Sequence, residues 1–192
     1  LKQEIEQEFS VRCNYILADL SIMKEVHNAA KELAELNNPI DVLIHNAGVY
    51  ITKREETEEG IEKVFMVHYL SSFIINYHLI DKLKKQNSCR IIMVNSEGHR
   101  FAAWGLKLDD MNWKRRRYSG LKCYGTAKLA QILSLFKFKE IFQNSNVIIN
   151  TMHPGAVKTE TGQNNGRFYR WYKRNILDKM LKDPMISAEA LY

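Results

Sequence analysis

A chain of 192 residues with 45% hydrophobic and 26% charged side chains has the composition of one soluble globular domain, which excludes a disordered or fibrous protein. Its longest apolar runs fall far short of the roughly 20 residues that a membrane-spanning helix needs, and three cysteines without C-x-x-C spacing favour a reducing environment over a disulfide framework or a metal site. The net charge of +6 suits an anionic partner without choosing among a dinucleotide, a lipid surface and nucleic acid.

The first half of the chain alternates short β-type runs with helical patterns, which predicts a parallel sheet wrapped by helices. The opening residues have the pattern of an exposed helix. The next elements are predicted as a strand over 14–18, a helix over 22–36 that ends at an Asn-Asn-Pro sequence, a strand over 41–45 and a long helix over 57–86.

The second half continues this alternation. A near-continuous apolar run predicts a third strand over 90–94 that is buried on both faces. The segment 95–121 is polar and irregular, and it is followed by a predicted helix over 122–142 and a strand over 147–151. Pro154 and Gly155 end that pattern, and residues 187–192 have the composition of a helix start.

Three polar side chains follow the predicted strands in a pattern that suits acid/base chemistry. Tyr124 and Lys128 are four residues apart on one helix, so they share a face, and a nearby cation favours the phenolate form of a tyrosine. Ser96 follows a buried strand, where its hydroxyl can hydrogen-bond the oxygen that Tyr124 protonates. Each residue alone is weak evidence, because a solvated helix face or a turn serine explains it equally well.

Two further turns follow predicted strands, where ligands bind in doubly wound sheets. The small residues Asn46, Ala47 and Gly48 would let a flat ligand lie close to the backbone. Asp19, with Leu20, could accept a hydrogen bond from an adenine amino group, although capping of the next helix is a competing role for Asp19 or Ser21.

Four motifs occur in the order and spacing of the short-chain dehydrogenase/reductase family, and the chain resembles that family in them: Asn46-Ala47-Gly48, Ser96, Tyr124-x-x-x-Lys128 and the Pro-Gly-Ala-Val-Lys-Thr sequence of residues 154–159. The runs 108–113 and 152–160 further resemble the retinol dehydrogenase-like branch. The resemblance covers essentially the whole chain. It implies that residues 1–192 form a partial NAD(P)-binding domain, an α/β fold with a Rossmann-like, doubly wound, mainly parallel sheet.

The resemblance also implies roles for individual residues. Tyr124 would be the proton donor and acceptor, Lys128 would bind the nicotinamide ribose and lower the tyrosine pKa, and Ser96 would orient the substrate oxygen. The remaining expected cofactor contacts are Asp19 and Leu20 at the adenine, Asn46, Ala47 and Gly48 at the adenosine, and Pro154, Gly155, Val157 and Thr159 at the nicotinamide.

The sequence departs from the family pattern at its beginning. The family opens with a glycine-rich turn that offers backbone N–H groups to the pyrophosphate, whereas the first glycine here is Gly48. We therefore expect an N-terminally truncated single domain, which is either part of a longer protein or a product that cannot hold the cofactor in the usual way.

A second departure is His68, which stands where the family has an asparagine that helps a water chain to connect the lysine with solvent. A neutral imidazole could replace that amide, since it can both donate and accept a hydrogen bond. In that role its protonation near pKa ~6.5, or lower because of Lys128, should reduce activity on acidification. A histidine that is merely packed in the helix is the alternative.

The resemblance implies an NAD(P)-dependent oxidoreductase that interconverts an apolar alcohol and its carbonyl, of the retinoid, steroid or lipid-aldehyde kind. It favours NADP over NAD and a homodimer formed through the two long helices. The alternative is a catalytically impaired, truncated scaffold with a binding or regulatory role.

The basic and aromatic run 168–174 stands where the family has its substrate-covering segment. A membrane-surface contact is the second interpretation of this run, and no nucleic-acid module accompanies it. The expected location is intracellular, either cytoplasmic or associated with the endoplasmic reticulum membrane.

Overall fold

A three-stranded sheet and the helices around it are described by the computed structural model over residues 2–155, 166, 183 and 185–189. In chain order the helices and strands are α1 (Lys2–Phe9), α2 (Met23–Glu35), β1 (Val42–His45), α3 (Lys63–Phe65), α4 (Ser71–Lys84), β2 (Cys89–Val94), α5 (Gly120–Ile141), β3 (Val147–Met152) and α6 (Met185–Glu189). A π-helical segment, Met66–Leu70, joins α3 to α4, and two 3-10 turns, Glu97–Ala102 and Leu108–Asp110, precede α5.

The sheet has the order β1-β2-β3, and both pairs of strands are parallel. The central strand places Ile91 opposite Leu43 on one side and opposite Ile149 on the other. Ile91 and Met93 are fully buried, as the apolar run of β2 predicts. The predicted parallel α/β sheet is therefore confirmed, and three of its strands match the predicted ranges to within one residue at each end.

The main hydrophobic core forms where α4 and α5 pack against β2. Its buried members come from all three elements and from the residue after α5: Leu79, Leu83, Cys89, Ile91, Phe138 and Phe142. Helix α2 packs in turn against α4, with Val26, Ala29 and Ala30 buried. Because side chains of β2 are buried in this core, the carboxyl end of the strand is held in a fixed position.

The predicted strand over 14–18 is wrong, because these residues form no strand in the structure. Tyr15 and Leu17 are 75% and 92% exposed. A strand is stabilised by hydrogen bonds to a neighbouring strand, and within the described residues the three-stranded ladder ends at β1 and does not extend to this segment. The β-type composition is present, but none of the three described strands pairs with this segment.

The long helix predicted over 57–86 begins later, at Lys63, and ends at Lys84. A turn delays its start: Gly60 N donates to the Thr57 carbonyl over 2.9 Å, and Gly60 has a φ of 75°, which glycine adopts at little cost. Glu62 then caps the helix, because its carboxylate accepts a hydrogen bond from Phe65 N at 2.8 Å.

Helix α5 starts at Gly120, two residues before the predicted position, because Ser119 caps it. A side chain at position 120 would place its Cβ 2.5 Å from the Ile51 carbonyl oxygen, so only glycine allows this close approach. The contact brings the start of α5 against the segment that follows β1. The residues after Gly120 on this helix include Tyr124 and Lys128.

A buried carboxylate connects α3 with α5. Glu62 has no exposed surface, and the Tyr118 hydroxyl donates to it over 3.1 Å. Burial raises the pKa of Tyr118 and of the neighbouring Cys123 thiol, so both remain protonated donors. This cluster and the apolar side chains around it, Val64, Phe65, Trp113 and Ala127 among them, hold α3 and the π-helical segment beside α5.

Candidate active site

The carboxyl ends of the three parallel strands meet at one edge of the sheet, as the topology requires. The exposed turn 46–48 follows β1, Asn95 and Ser96 follow β2, and Pro154 and Gly155 follow β3. Asn95 N donates to the Met152 carbonyl over 2.8 Å, which ties the ends of β2 and β3 together. The structure thus brings these predicted site residues to one edge.

Tyr124 lies half-buried at this edge near Ser96, since both side chains adjoin Gly98. Two glycines allow the 3-10 turn after β2 to reach α5 here. A Cβ on Gly98 would lie 2.6 Å from Tyr124 Cε1, and one on Gly125 would lie 2.6 Å from the Gly98 carbonyl oxygen. Burial raises the pKa of Tyr124, and the hydrogen bond with Ser96 offsets part of that effect.

Lys128 is only 4% exposed, and its ammonium points towards the end of β2. Its Nζ donates to the Val94 carbonyl over 2.8 Å and lies 3.5 Å from Gln131 Oε1. Burial lowers the pKa of Lys128 to about 8. The ammonium is 5.9 Å from the centre of the Tyr124 ring.

The expected lowering of the Tyr124 pKa by Lys128 needs correction in this arrangement. Burial outweighs the other influences, so the pKa of Tyr124 is raised above its ordinary value. The ammonium is bonded to the Val94 carbonyl and lies 5.9 Å from the centre of the Tyr124 ring. Tyr124 is therefore a protonated phenol at neutral pH.

His68 lies in the π-helical segment and is 4% exposed. Its ring meets that of Tyr124 edge-on, with the ring centres 5.1 Å apart. Nε2 lies 3.0 Å from Val49 N and 2.7 Å from the Val49 carbonyl oxygen; one neutral tautomer accepts from the N–H, and the other donates to the carbonyl. The side chain thereby ties the segment after β1 to the helix that precedes α4.

The predicted titration of His68 near pH 6.5 also needs correction. Burial first and the charge of Lys128 second lower the pKa of His68 to about 3. Lys128 lowers the pKa of His68, as expected, but the larger effect of burial was not predicted from the sequence. His68 stays neutral through the pH range in which an enzyme assay is practical, so an acid limb of activity cannot arise from it.

Gly48 is required by the position of the His68 ring. A Cβ at Gly48 would lie 2.3 Å from His68 Cε1, well inside van der Waals contact. The glycine thus lets the turn after β1 pass directly over the imidazole. Asn46 and Ala47 precede it and are exposed at the carboxyl edge of the sheet.

Asp19 and Leu20 have no described contact with the Tyr124 cluster. The carboxylate of Asp19 accepts hydrogen bonds from Ser21 N at 2.8 Å and Ser21 Oγ at 2.7 Å, and these bonds lower the pKa of Asp19. The arrangement is a turn that leads into α2, but the N-cap of α2 is Ile22 without a side-chain cap, so the alternative that Asp19 or Ser21 caps this helix is wrong. Val157, Thr159 and the run 168–174 lie outside the described residues.

Two buried amides beside Lys128 were missed by the sequence reasoning. Gln131 is 2% exposed and Asn95 is 6% exposed, and they hydrogen-bond each other. Gln131 stands three residues after Lys128 and Asn95 immediately before Ser96, so helical spacing and adjacency were signals that could have identified them. Within the described residues no group of three or more His, Cys, Asp or Glu side chains is arranged to hold a metal ion.

The donor set at this edge suits the nicotinamide half of a dinucleotide. The ammonium of Lys128 can donate to a ribose diol, while the phenol of Tyr124 and the hydroxyl of Ser96 can bond a carbonyl or alcohol oxygen. The pyrophosphate-binding turn of the family is not part of these 192 residues, whose first glycine is Gly48. No helix within the described ranges is long and apolar enough to cross a membrane.

Sequence comparisons with known proteins agree with one another, because the family model and the relatives are all dehydrogenases. The short chain dehydrogenase family model matches residues 1–105, more than half of the chain. Human retinol dehydrogenase 13 is 36% identical over 175 residues, covering 89% of this chain and 52% of that protein. Human polyprenol dehydrogenase is 29% identical over 161 residues, covering 81% of this chain and 48% of that protein. The chain thus spans about half the length of the curated relatives it matches.

Solved structures agree on the fold. A short-chain dehydrogenase from Sphingobium yanoikuyae in complex with NADPH is similar with a TM-score of 0.71 at 17% identity, covering 99% of this chain and 67% of that chain. An alcohol dehydrogenase from Thermococcus sibiricus complexed with 5-hydroxy-NADP has a TM-score of 0.67 at 22% identity, covering 99% and 71%. The parallel sheet and the family match lead to one conclusion: the chain belongs to the short-chain dehydrogenase family, in its retinol dehydrogenase-like branch.

Proposed function

We propose that the protein interconverts an apolar alcohol and its carbonyl with a nicotinamide cofactor, and that residues 1–192 form part of its NAD(P)-binding domain. One observation carries the proposal: Tyr124 and Ser96 both adjoin Gly98 at the carboxyl edge of the sheet, and the buried Lys128 ammonium lies 5.9 Å from the centre of the Tyr124 ring. An acid, an oxygen-orienting hydroxyl and a fixed cation are the groups that carbonyl reduction needs.

The side chains divide the work in the following way. Tyr124 donates its hydroxyl proton to the carbonyl oxygen during reduction and takes it back during oxidation. Ser96 donates a hydrogen bond to the same oxygen and fixes its position. Lys128 would bind the ribose through its buried ammonium. A bound nicotinamide supplies or accepts the hydride.

The protonation state of Tyr124 favours one direction of this reaction. Because burial raises its pKa, Tyr124 holds its proton at neutral pH and is ready to act as an acid. Carbonyl reduction uses that form directly, whereas alcohol oxidation needs the phenolate. This argument supports the reductive direction, while the preference for NADPH rests on the family resemblance alone.

The substrate class and the remaining contacts are inferred from the relatives and from position. Retinol and polyprenol in the relatives' names support an apolar substrate of the retinoid, steroid or lipid-aldehyde kind. The exposed turn 46–48 would contact the adenosine, and Pro154 and Gly155 the nicotinamide, since all follow strands at the same edge. His68 would act by holding the turn after β1 through Val49.

The outer faces of α4 and α5 support a homodimer. Three large side chains on these helices are exposed: Tyr77 by 63%, Phe136 by 60% and Leu133 by 48%. Apolar side chains of this size on neighbouring helices are typical of a surface that a second subunit covers.

The proposed mechanism is tested by Tyr124→Phe in the full-length protein, with NADPH or NADH and a panel of retinoid, steroid and lipid aldehydes. Loss of a general acid should lower kcat by roughly 10²- to 10⁴-fold. Cofactor binding, followed by nicotinamide fluorescence, should hardly change, because the ring remains. Tyr77→Phe makes the same substitution at an exposed position and should leave kcat unchanged.

Substantial turnover by Tyr124→Phe would overturn the assigned mechanism. If the unsubstituted full-length protein binds neither NADPH nor NADH, the enzyme proposal fails and the scaffold alternative replaces it.

A further inference from the structure

We infer that Gln131 is a positioning residue that holds the Lys128 ammonium in place through a buried amide pair with Asn95. The inference rests on the proposed function, because it concerns the lysine of the same site. Gln131 does not touch the reacting atoms. Its contacts connect three separate elements of the fold to that lysine.

The Gln131 amide is bonded at both of its ends. Oε1 accepts a hydrogen bond from Asn95 Nδ2 at 2.9 Å and lies 3.5 Å from Lys128 Nζ. Nε2 donates to the His68 carbonyl over 3.2 Å. Because donors surround Oε1 and a carbonyl faces Nε2, only one orientation of the amide satisfies all of these partners.

Asn95 completes the pair from the end of β2. Its Nδ2 also donates to the Lys128 carbonyl over 3.0 Å, and its Oδ1 accepts from Ser96 N at 2.7 Å. The two amides therefore fix the segment after β2, which contains Ser96, against the helix that carries Tyr124 and Lys128. The His68 carbonyl adds the π-helical segment as a third element.

Packing alone does not explain an amide at position 131. A methionine of similar length would fill the space without needing partners, whereas a buried amide is costly unless every polar atom is bonded. What the amide adds is therefore hydrogen bonding. Here that bonding is directed at a lysine whose side chain would otherwise move among many rotamers.

The groups around Lys128 indicate that the side-chain oxygen of Gln131 affects the pKa of this lysine. The Val94 carbonyl faces the ammonium from β2 and Tyr124 from its own helix, and His68 in the π-helical segment is close enough for the Lys128 charge to lower the pKa of His68. No carboxylate lies within ion-pair distance of Lys128 in the described part of the chain. A change at Oε1 should therefore alter the affinity of Lys128 for its proton.

Two opposite substitutions test the inference in the full-length protein. Gln131→Glu places a carboxylate beside the ammonium, so the pKa of Lys128 should rise above about 8. Gln131→Met removes an acceptor of the charged form, so that pKa should fall. The readout is the pH titration of the Lys128 Cε resonance by NMR without cofactor, and Gln143→Glu, the same change at an exposed position, is the control.

With NADPH bound, the alkaline limb of kcat/KM should follow the same opposite shifts. In Gln131→Met, kcat should fall roughly 10- to 100-fold while the KM for the carbonyl substrate changes little, because a misplaced lysine affects the reaction more than substrate binding.

Lys128 titrations that coincide with the parent in both variants, or that shift in one direction in both, would overturn the inference. The proposed function is judged separately by Tyr124→Phe. Turnover by that variant would defeat the function while the cofactor-free titration still reports on Gln131, and unchanged titrations beside an inactive Tyr124→Phe would defeat only the role of Gln131.

Discussion

Strands β2 and β1 are neighbours in one sheet, and both are apolar runs, yet their surroundings differ sharply. Ile91 and Met93 of β2 have no exposed surface, while Val42 and Ile44 of β1 are 53% and 43% exposed. The difference lies in what covers each strand, since β2 has a strand on each side and β1 has a pairing partner on one side only within the described residues. A similar composition thus gives a rigid core in one case and a half-covered edge in the other.

The same contrast extends to the site. The end of β2 is held by Asn95, by Lys128 and by the end of β3, whereas the turn after β1 is exposed and is tied down through Val49 by His68. Substrate chemistry depends on positions held to within a fraction of an ångström. It is therefore reasonable that the acid/base group and the lysine adjoin β2.

The largest expected effect comes from truncating one apolar side chain in each of the two strands. Ile91→Ala removes a fully buried side chain and should lower the free energy of unfolding of the 192-residue chain by about 2–5 kcal/mol. Val42→Ala, at a half-exposed position, should cost roughly 0.5 kcal/mol. Urea denaturation followed by circular dichroism measures both, and equal costs would contradict the contrast between the strands.

An effect of intermediate size concerns the histidine that ties the β1 turn to the helix. The pKa of His68 is about 3 in the fold and near 6.5 in the unfolded chain, so the unfolded chain binds more protons between these values. Stability is therefore full above pH 6.5 and should fall as the pH drops, by about 1.4 kcal/mol per pH unit. In His68→Asn, the unfolded chain should bind one proton fewer relative to the folded chain. The free energy of unfolding should therefore depend less steeply on pH.

The measurement is the free energy of unfolding between pH 6.5 and 4.5, where slopes rather than absolute values are compared. His153→Asn replaces an exposed histidine and provides the control. His45 is partly buried, and its pKa is also lowered, chiefly by burial, so some acid destabilisation should persist in His68→Asn. An identical slope in the two variants would refute the burial argument for His68.

The smallest expected effect on stability comes from the outer helix face. Phe136→Glu changes a side chain that is 60% exposed and should alter the free energy of unfolding of the monomer by less than about 0.5 kcal/mol. If the faces of α4 and α5 form a dimer, the buried carboxylate should dissociate it. Sedimentation velocity of the full-length protein decides this, and a mass unchanged by Phe136→Glu would argue against this interface.

The sequence was sufficient to predict what depends on local pattern. The apolar run of β2, the strands at 42–45 and 147–152 and the helix that carries Tyr124 and Lys128 were predicted because periodicity and burial follow directly from side-chain type. The order of the motifs at strand ends also indicated the site, since parallel strands place their carboxyl ends together.

Prediction from the sequence failed where an element of secondary structure depends on contacts with other residues. Residues 14–18 have the composition of a strand, but a strand also requires a neighbour, which composition does not reveal. The helix predicted from residue 57 begins at Lys63. A turn at Gly60 and a cap at Glu62 set this start, although the apolar periodicity begins earlier in the sequence. Capping and turn geometry depend on contacts that spacing alone does not specify.

What the tertiary structure alone decided is the electrostatics of the site. Sequence placed a histidine at 68 and a lysine at 128, but burial lowers the pKa of His68 to about 3 and that of Lys128 to about 8, while it raises the pKa of Tyr124. The Asn95–Gln131 pair joins residues 36 positions apart. Desolvation and such contacts depend on the residues that the fold brings around each group, so they are determined only once the chain has folded.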